Sequence, residues 1–323
     1  MRILPRNKYR PEQVSLPERV MPRLLAISVV VTFADPRRLA YLDLALQSVT
    51  GQSLAPHEVL LINDTREALD YKAVRTLPGP QQGNVAFCRN VGLKAARGDW
   101  IAFLDDDDLW APRKLQRQAA AIGPGVAIVA TRATLIDSHG SRVRRAAGPN
   151  GQLGIMDLLR ENTVVFSSIM VNRQLLLQIG GFDTSEMARF CDDFDMYVAM
   201  TRLGSIVVVP EFLTLYRRHQ LRTSEINAAR PVTRIQEYSV EKLRTSMDQA
   251  RFTQLRRVAA SSYYLSIFVS FISGSAGVAP VTAIVALARS IILDPRRIPL
   301  LVRRAATLVY RRLIQVKGVS GID

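Results

Sequence analysis

Four consecutive aspartates, Asp105 to Asp108, stand directly behind an apolar run, Trp100 to Leu104, and this junction restricts what the chain can become. Adjacent carboxylates repel one another unless a cation or solvent neutralises them. The apolar run reads as a buried strand, so the carboxylates fall at its C-terminal end, the edge at which open α/β sheets bind ligands. A second acidic cluster, Asp192-Asp193-Phe194-Asp195, follows about eighty-five residues later. An isolated acidic tetrad is ordinarily a solvated turn. A buried strand ahead of it and a second cluster behind it point instead to a divalent cation carrying phosphate oxygens.

The segments around this junction predict an α/β chain. Leu24 to Phe33 is apolar and β-branched, a buried first strand. Arg37 to Val49 carries Leu39, Leu42, Leu46 and Val49 at helical spacing, and Glu58 to Ile62 forms a second strand that ends at Asn63-Asp64. Asn84 caps a helix running to Arg97, which Gly98 stops before the third strand. Strands alternating with helices make a parallel, doubly wound sheet. Val126 to Thr131, Val164 to Val171 and Ile206 to Val209 are expected as further strands.

Charge divides the chain into three. Residues 1–24 hold six Lys/Arg against two acids, 25–229 hold 22 against 21, and 230–323 hold 15 against five. The net charge of +15 therefore resides at the ends of a near-neutral body, a distribution that suits a small ligand on the body and an anionic surface for the tails. No nucleic acid is expected as partner of the body. Two cysteines and three histidines are too few for a disulfide framework or the usual four-ligand zinc site, and fit a reducing, cytoplasmic setting. Residues 1–23, with Pro5, Pro11, Pro17 and Pro22 among charges, read as an extended basic arm without the apolar core of a secretory signal.

Beyond Thr223 the texture becomes helical and basic. Val258 to Ala288 lacks any charged residue or histidine but is interrupted by Ser273-Gly-Ser-Ala-Gly277 and Pro280. Three readings stay open: a soluble helical hairpin packed on the body, a re-entrant or interfacial membrane hairpin, and a true span. Arg296, Arg297, Arg303, Arg304, Arg311 and Arg312, interleaved with Leu300, Leu301, Leu308 and Leu313, make a basic amphipathic helix suited to the cytoplasmic face of a membrane or to solvent.

Several motifs over about Leu24 to Thr223 together resemble the inverting nucleotide-sugar glycosyltransferases of family 2. Val29-Val-Val-Thr-Phe-Ala-Asp-Pro36 is similar to the family's first-strand segment, with Val31 and Ala34 where proline and asparagine are common. Leu60-Leu-Ile-Asn-Asp-Thr65 has Asn63 in place of the first of two aspartates. Gly83 to Leu93 looks like the helix before the metal site, Asp105-Asp106-Asp107 like the Asp-x-Asp (DXD) metal motif, and Asp108 and Trp110 like its tail. Ser167 to Arg173 and Gly180-Gly-Phe-Asp183 are similar to the acceptor-side segment, Asp192-Asp193 to an acidic pair that is usually Glu-Asp, and Leu215-Tyr-Arg-Arg-His219 to the closing Tyr-Arg-x-His.

The resemblance implies a GT-A fold, a Rossmann-like mixed sheet flanked by helices, over residues 24–223, followed by a helical appendage over 224–323. It implies a nucleotide-diphosphate sugar donor, most commonly a UDP-sugar, a glycan or lipid-linked acceptor, and Mg²⁺ or Mn²⁺ held by Asp107 and Asp105. Thr32 and Asp64 border the nucleotide, Arg89 and Asn90 brace the aspartates, and Asp105 and Asp106 sit by the donor. Arg217 and His219 face its phosphates, and Asp193 is the base that deprotonates the acceptor hydroxyl. Two alternatives stand beside this. A sugar-nucleotide nucleotidyltransferase calls for a glycine-rich triphosphate loop after the first strand, and Thr32 to Arg38 contains no glycine. A non-catalytic sugar-nucleotide-binding protein has no need of both Asp107 and Asp193.

Overall fold

The computed structural model describes residues 25–81, 83–145, 151–189, 191–219, 235–273 and 280–298. Among them runs a ten-stranded sheet. Its path passes from β3 (Arg75–Pro78) through β2 (Glu58–Asn63), β1 (Ile27–Phe33), β4 (Trp100–Asp105), β9 (Met170–Asn172), β6 (Val126–Ile136) and β10 (Ser205–Arg217) to β5 (Leu109–Trp110). β7 (Arg142–Arg145) pairs with β6, and β8 (Gly151–Leu153) with β10. The first four strands of the path are mutually parallel, whereas β9 runs antiparallel to both β4 and β6, so the sheet is mixed.

Burial on both faces explains the unbroken apolar runs. All seven residues of β1 are buried, as expected of a central parallel strand sandwiched between layers. Side chains alternate between the two layers. Val30, Leu60, Ile62, Ile101 and Phe103 face one core with Ala86, Cys88 and Leu93 of α2 (Val85–Ala95). Val29, Val31, Phe33, Leu61, Ala102 and Leu104 face the other with Leu42, Ala45, Leu46 and Val49 of α1 (Leu39–Thr50). Asn84 caps α2, its side-chain oxygen accepting from Ala86 N at 3.1 Å. Between α2 and β4, a Cβ on Gly98 would stand 2.6 Å from Ser28 N, so the chain passes β1 there only without a side chain.

Several expected elements differ in detail. The first helix is preceded by a separate 3-10 turn, Pro36–Arg38, because Asp35 accepts from Arg37 N and Pro36 occupies the first helical position. The strand expected over Val164 to Val171 breaks into a 3-10 turn, Phe166–Ser168, followed by β9. Ser167 Oγ accepts from Asp105 N at 3.1 Å and Ser168 Oγ donates to Val165 O at 2.6 Å, which bends the backbone out of a ladder. β6 and β10 run longer than expected, pairing in parallel from Val126 and Ser205 to Ile136 and Arg217.

The C-terminal region contributes α7 (Ile235–Glu241), α8 (Gln249–Ser273) and α9 (Pro280–Leu293). Ile235, Val240, Leu243, Phe252, Leu255, Val258 and Ala259 join the same core as Leu158 and Met200, so the start of this region is continuous with the body. α8 and α9 pair through Ser261 and Ser290, each hydroxyl donating to the other residue's carbonyl at 2.8 and 3.0 Å. Among the described residues no helix is long and apolar enough to cross a membrane. The arm over 1–23, the boundary at 223/224 and the basic segment beyond Ile298 lie outside the described residues.

Candidate functional site

Parallel register brings the sequence candidates to one sheet edge. Thr32, near the end of β1, lies opposite Asp105 of β4 and Ile62 of β2. Asp64 follows β2, its backbone N–H donating to Phe33 O at 2.7 Å. Its carboxylate accepts from Gln81 N, and a Cβ on Gly79 would lie 2.5 Å from that same oxygen, so this loop closes over Asp64 only with glycine there. Asn63, where the sequence departs from the family, organises the loop: its Oδ1 accepts from Thr65 N and Oγ1 at 3.1 and 2.7 Å.

The tetrad divides into a converging trio and one outlier. Asp105, Asp107 and Asp108 present carboxylate oxygens within 4.8 Å of one another. Asp108 is buried, its Oδ1 accepts from Arg217 N at 2.8 Å, and its Oδ2 has no hydrogen-bond partner among the described residues. Burial, with repulsion from Asp107 and Asp105, pushes its carboxyl well above the usual range. An all-oxygen set with an orphaned buried acceptor suits a hard divalent cation, and the residues fit one. Asp106 points elsewhere, into an ion pair with Arg38 at 3.0 Å, and burial raises its carboxyl as well. Asp108 thus joins the pair Asp105 and Asp107 that the sequence nominated for metal.

Basic side chains surround this trio. His219 Nε2 lies 3.0 Å from Asp107 Oδ2, its ring 4.9 Å from that of Tyr41. Arg38, which the sequence reading missed, reaches Asp106 at 3.0 Å and Asp107 at 3.4 Å from the 3-10 turn after β1. Its signal was the Asp35-Pro36 dipeptide, an N-cap followed by proline at the first helical position, which sets Arg38 one turn beyond the sheet edge.

Arg217 corrects an expectation. The residue is 1% exposed, and its guanidinium is taken up by backbone carbonyls behind the aspartates. Nε donates to Asp107 O at 2.8 Å, and Nη1 to Asp137 O and Ser138 O at 3.2 and 3.1 Å. Nη2 alone is unbonded, and it is buried. Arg217 therefore fixes the backbone that carries the trio. Asn90 likewise does not reach the aspartates. It brackets Phe182, donating to its carbonyl at 2.8 Å and accepting from its N–H at 2.9 Å, in contact so close that a Cβ on Gly181 would lie 2.4 Å from Asn90 Oδ1.

Arg89 joins the two acidic clusters. Nη1 donates to Asp192 Oδ2 at 2.6 Å and Nη2 to Asp105 Oδ1 at 3.1 Å, while the guanidinium lies 3.6 Å from the centre of the Phe166 ring. Burial pulls this group toward neutrality, but Asp192, Asp105 and Asp193 outweigh it and hold the proton on. Asp193 follows at the start of α6 (Asp192–Met200), partly buried, with its Oδ1 accepting from Phe194 N at 2.8 Å. Burial and the neighbouring Asp192 raise its carboxyl from 3.8 to about 6, against the pull of Arg89. Such a carboxylate is ionised at neutral pH yet basic enough to accept a proton. Two residues on, Asp195 is turned away: it accepts from Ser239 Oγ at 2.8 Å and Lys242 Nζ at 2.6 Å, and Lys242 also reaches Asp183 at 2.9 Å. Burial alone would raise the Asp183 carboxyl, but Lys242, Ser185 and Tyr238 hold it well below the usual range.

Residues 28–180 match the model of glycosyl transferase family 2. The match covers just under half of the chain, and over that segment the chain is a family 2 glycosyltransferase. The match of this family 2 glycosyltransferase takes in Arg89 and the whole aspartate tetrad, and stops short of Asp193 and His219. An O-antigen biosynthesis protein of Myxococcus xanthus, RfbC, is 30% identical over 53% of this chain and 14% of its own length. An uncharacterised glycosyltransferase of Haemophilus influenzae is 24% identical over 66% of this chain and 76% of its own. Among solved structures, residues 1–349 of S. aureus TarS in complex with UDP superpose with a TM-score of 0.57 at 17% identity, covering 84% of this glycosyltransferase and 82% of TarS. The fold is of the GT-A type.

Proposed function

We propose that this glycosyltransferase inverts: it moves a sugar from a nucleoside-diphosphate donor, a UDP-sugar, to a hydroxyl on a glycan or lipid-linked acceptor in the assembly of a surface polysaccharide. Arg89 supports the proposal: one guanidinium touches Asp105 of the carboxylate trio and Asp192 beside Asp193, so the two acidic clusters lie against the same side chain. S. aureus TarS has been crystallised with UDP and with UDP-GlcNAc, and relatives carry names from O-antigen and teichuronic acid biosynthesis. These support the class of donor and of product.

In this reading the nucleoside lies over Thr32 and Asp64. Asp105, Asp107 and Asp108 hold Mg²⁺ or Mn²⁺, which supplies neutralising charge to the diphosphate when bound. Arg38 stands at the same edge as a further cation for the phosphates, and His219 as a hydrogen-bonding neighbour. Asp193 takes the proton from the acceptor hydroxyl as its oxygen attacks the anomeric carbon. The bond to the diphosphate breaks with its electron pair on the leaving oxygen, and configuration inverts. The basic C-terminal region holds the enzyme at the cytoplasmic face of the membrane, near lipid-linked acceptors.

The test is a panel of nucleotide sugars with Mg²⁺ or Mn²⁺, scored by released nucleoside diphosphate and by the anomeric configuration of the product. Asp193→Asn is expected to lose transfer while keeping metal-dependent nucleotide binding, and Asp107→Ala to weaken both. A retained anomeric configuration, or full transfer by Asp193→Asn, would overturn the assignment.

A further inference from the structure

Helix α9 turns one face to α8 and, among the described residues, leaves the other uncovered. Ala286 and Ser290 are buried toward α8, whereas Ile284, Val285 and Ile292 are 64%, 44% and 77% exposed, with Ile298 following at 49%. These four are among only ten large hydrophobics exposed in the whole of the described chain, so the concentration within fifteen residues is not the scatter that any surface carries. The spacing of Ile284, Ala288 and Ile292 makes them one stripe, and Arg289 and Arg296 are exposed beside it.

Next to this stripe lies a cavity of about 600 Å³ between α8, the end of α9 and the short helix Ile155–Arg160. Met156, Val258 and Leu293 contribute apolar lining, and Arg160, Arg257 and Arg296 contribute charge. The one carboxylate in the lining, Asp294, is buried and paired with Arg160 at 3.1 Å. Arg257 and Arg296 are exposed and form no ion pair among the described residues. An apolar pocket with two uncompensated guanidinium groups at its rim fits a phosphate on a short apolar stem, and guanidinium groups are the side chains best matched to phosphate oxygens.

We propose that this cavity is a headgroup site for an acidic phospholipid, with Ile284, Ile292 and Ile298 entering the interfacial layer beside it. This deepens the reading of the C-terminal region as membrane-peripheral and does not depend on the catalytic assignment. The charge balance selects lipid over a second copy of the chain: residues 235–298 carry eight Lys/Arg against four acids, so two such faces would repel, whereas an anionic bilayer attracts each basic residue and buries the apolar stripe.

The experiment is co-sedimentation of the full chain with vesicles of phosphatidylcholine alone or mixed with phosphatidylglycerol, with donor turnover on a soluble acceptor measured in parallel. The parent is expected to bind only the mixed vesicles. Arg257→Gln with Arg296→Gln is expected to weaken binding roughly 30-fold, at about fivefold for each arginine near the surface, and Ile284→Ser with Ile292→Ser to weaken it again, with turnover unchanged in both. Equal binding by the arginine variant would overturn the headgroup site while leaving peripheral attachment in place, through the tail beyond Ile298. No binding by the parent, with light scattering reporting a dimer, would overturn both and make the stripe a subunit interface. Stabilisation by inorganic phosphate that vanishes in the arginine variant, without vesicle binding, would reassign the cavity to a soluble anion and overturn the lipid.

Discussion

Replacing Arg89 by methionine tests the joint between the two acidic clusters. Methionine keeps an unbranched apolar stem beside Phe166 but removes the guanidinium that lies over its ring, and the charge with it. Asp192, 2% exposed, loses its partner at 2.6 Å, whereas Asp105 is 31% exposed and partly solvated. Stranding a buried charge costs roughly 3–5 kcal/mol, and the solvated half adds less than about 1 kcal/mol. At about 2–4 °C per kcal/mol for chains of this order, the melting temperature is expected to fall roughly 6–20 °C. A second effect separates function from packing. Arg89 holds the Asp193 carboxyl down at about 6, so its loss moves the acidic limb of the pH–rate profile upward, by roughly one unit if about 1.4 kcal/mol of attraction disappears. The assay is release of nucleoside diphosphate between about pH 5 and pH 8, alongside thermal melts of parent and variant. A lower melting temperature with an unmoved acidic limb would show Arg89 to be a packing residue only, and no change in either would refute the reasoning about the joint.

Other perturbations reach neighbouring groups. A carboxyl whose folded value lies above its unfolded value destabilises the fold wherever the unfolded chain would ionise it. For Asp193, raised from 3.8 to about 6, the penalty grows across that window and is constant above it, at roughly 3 kcal/mol by order of magnitude. Asp193→Asn is therefore expected to melt higher than the parent at neutral pH, with the gap closing on acidification toward 3.8, and a pH-independent gap would count against the raised value. Arg38→Ala leaves Asp106 and Asp107 without their guanidinium partner; its melting temperature is expected to fall and to recover with Mg²⁺ or Mn²⁺ more than the parent gains, and an equal gain in both would refute a shared neutralising role. Lys242→Met releases Asp183 and Asp195, and with Lys242 41% exposed the loss is about 1 kcal/mol; faster amide exchange over Ile235–Glu241 is the expected readout, and unchanged exchange the contrary one.

What the sequence revealed follows the range of the forces involved. The strand that delivers the tetrad, the cap at Asn84 and the central parallel order were legible because burial and capping act over a few residues. The joint at Arg89 was legible only as a brace, since Asp192 lies 103 residues away and no spacing rule reports that contact. Arg217 was misread for the same reason: an arginine beside a phosphate and an arginine behind a loop look alike until the carbonyls of Asp137 and Ser138 close on it. Arg38 escaped because a single 3-10 turn has no periodicity to detect. At the head of α6, Asp195 binds Ser239 of α7 and Lys242 just after it, a contact across more than forty residues that no spacing rule reports.

That last contact ties two parts of the molecule that otherwise look separable. Asp193, the proposed base, and Asp195, which grips α7, occupy a single turn of helix, two residues apart. A lineage that altered what Asp195 grips in the C-terminal region would thereby disturb the pitch and setting of Asp193, so the two ends of this contact can drift only in step.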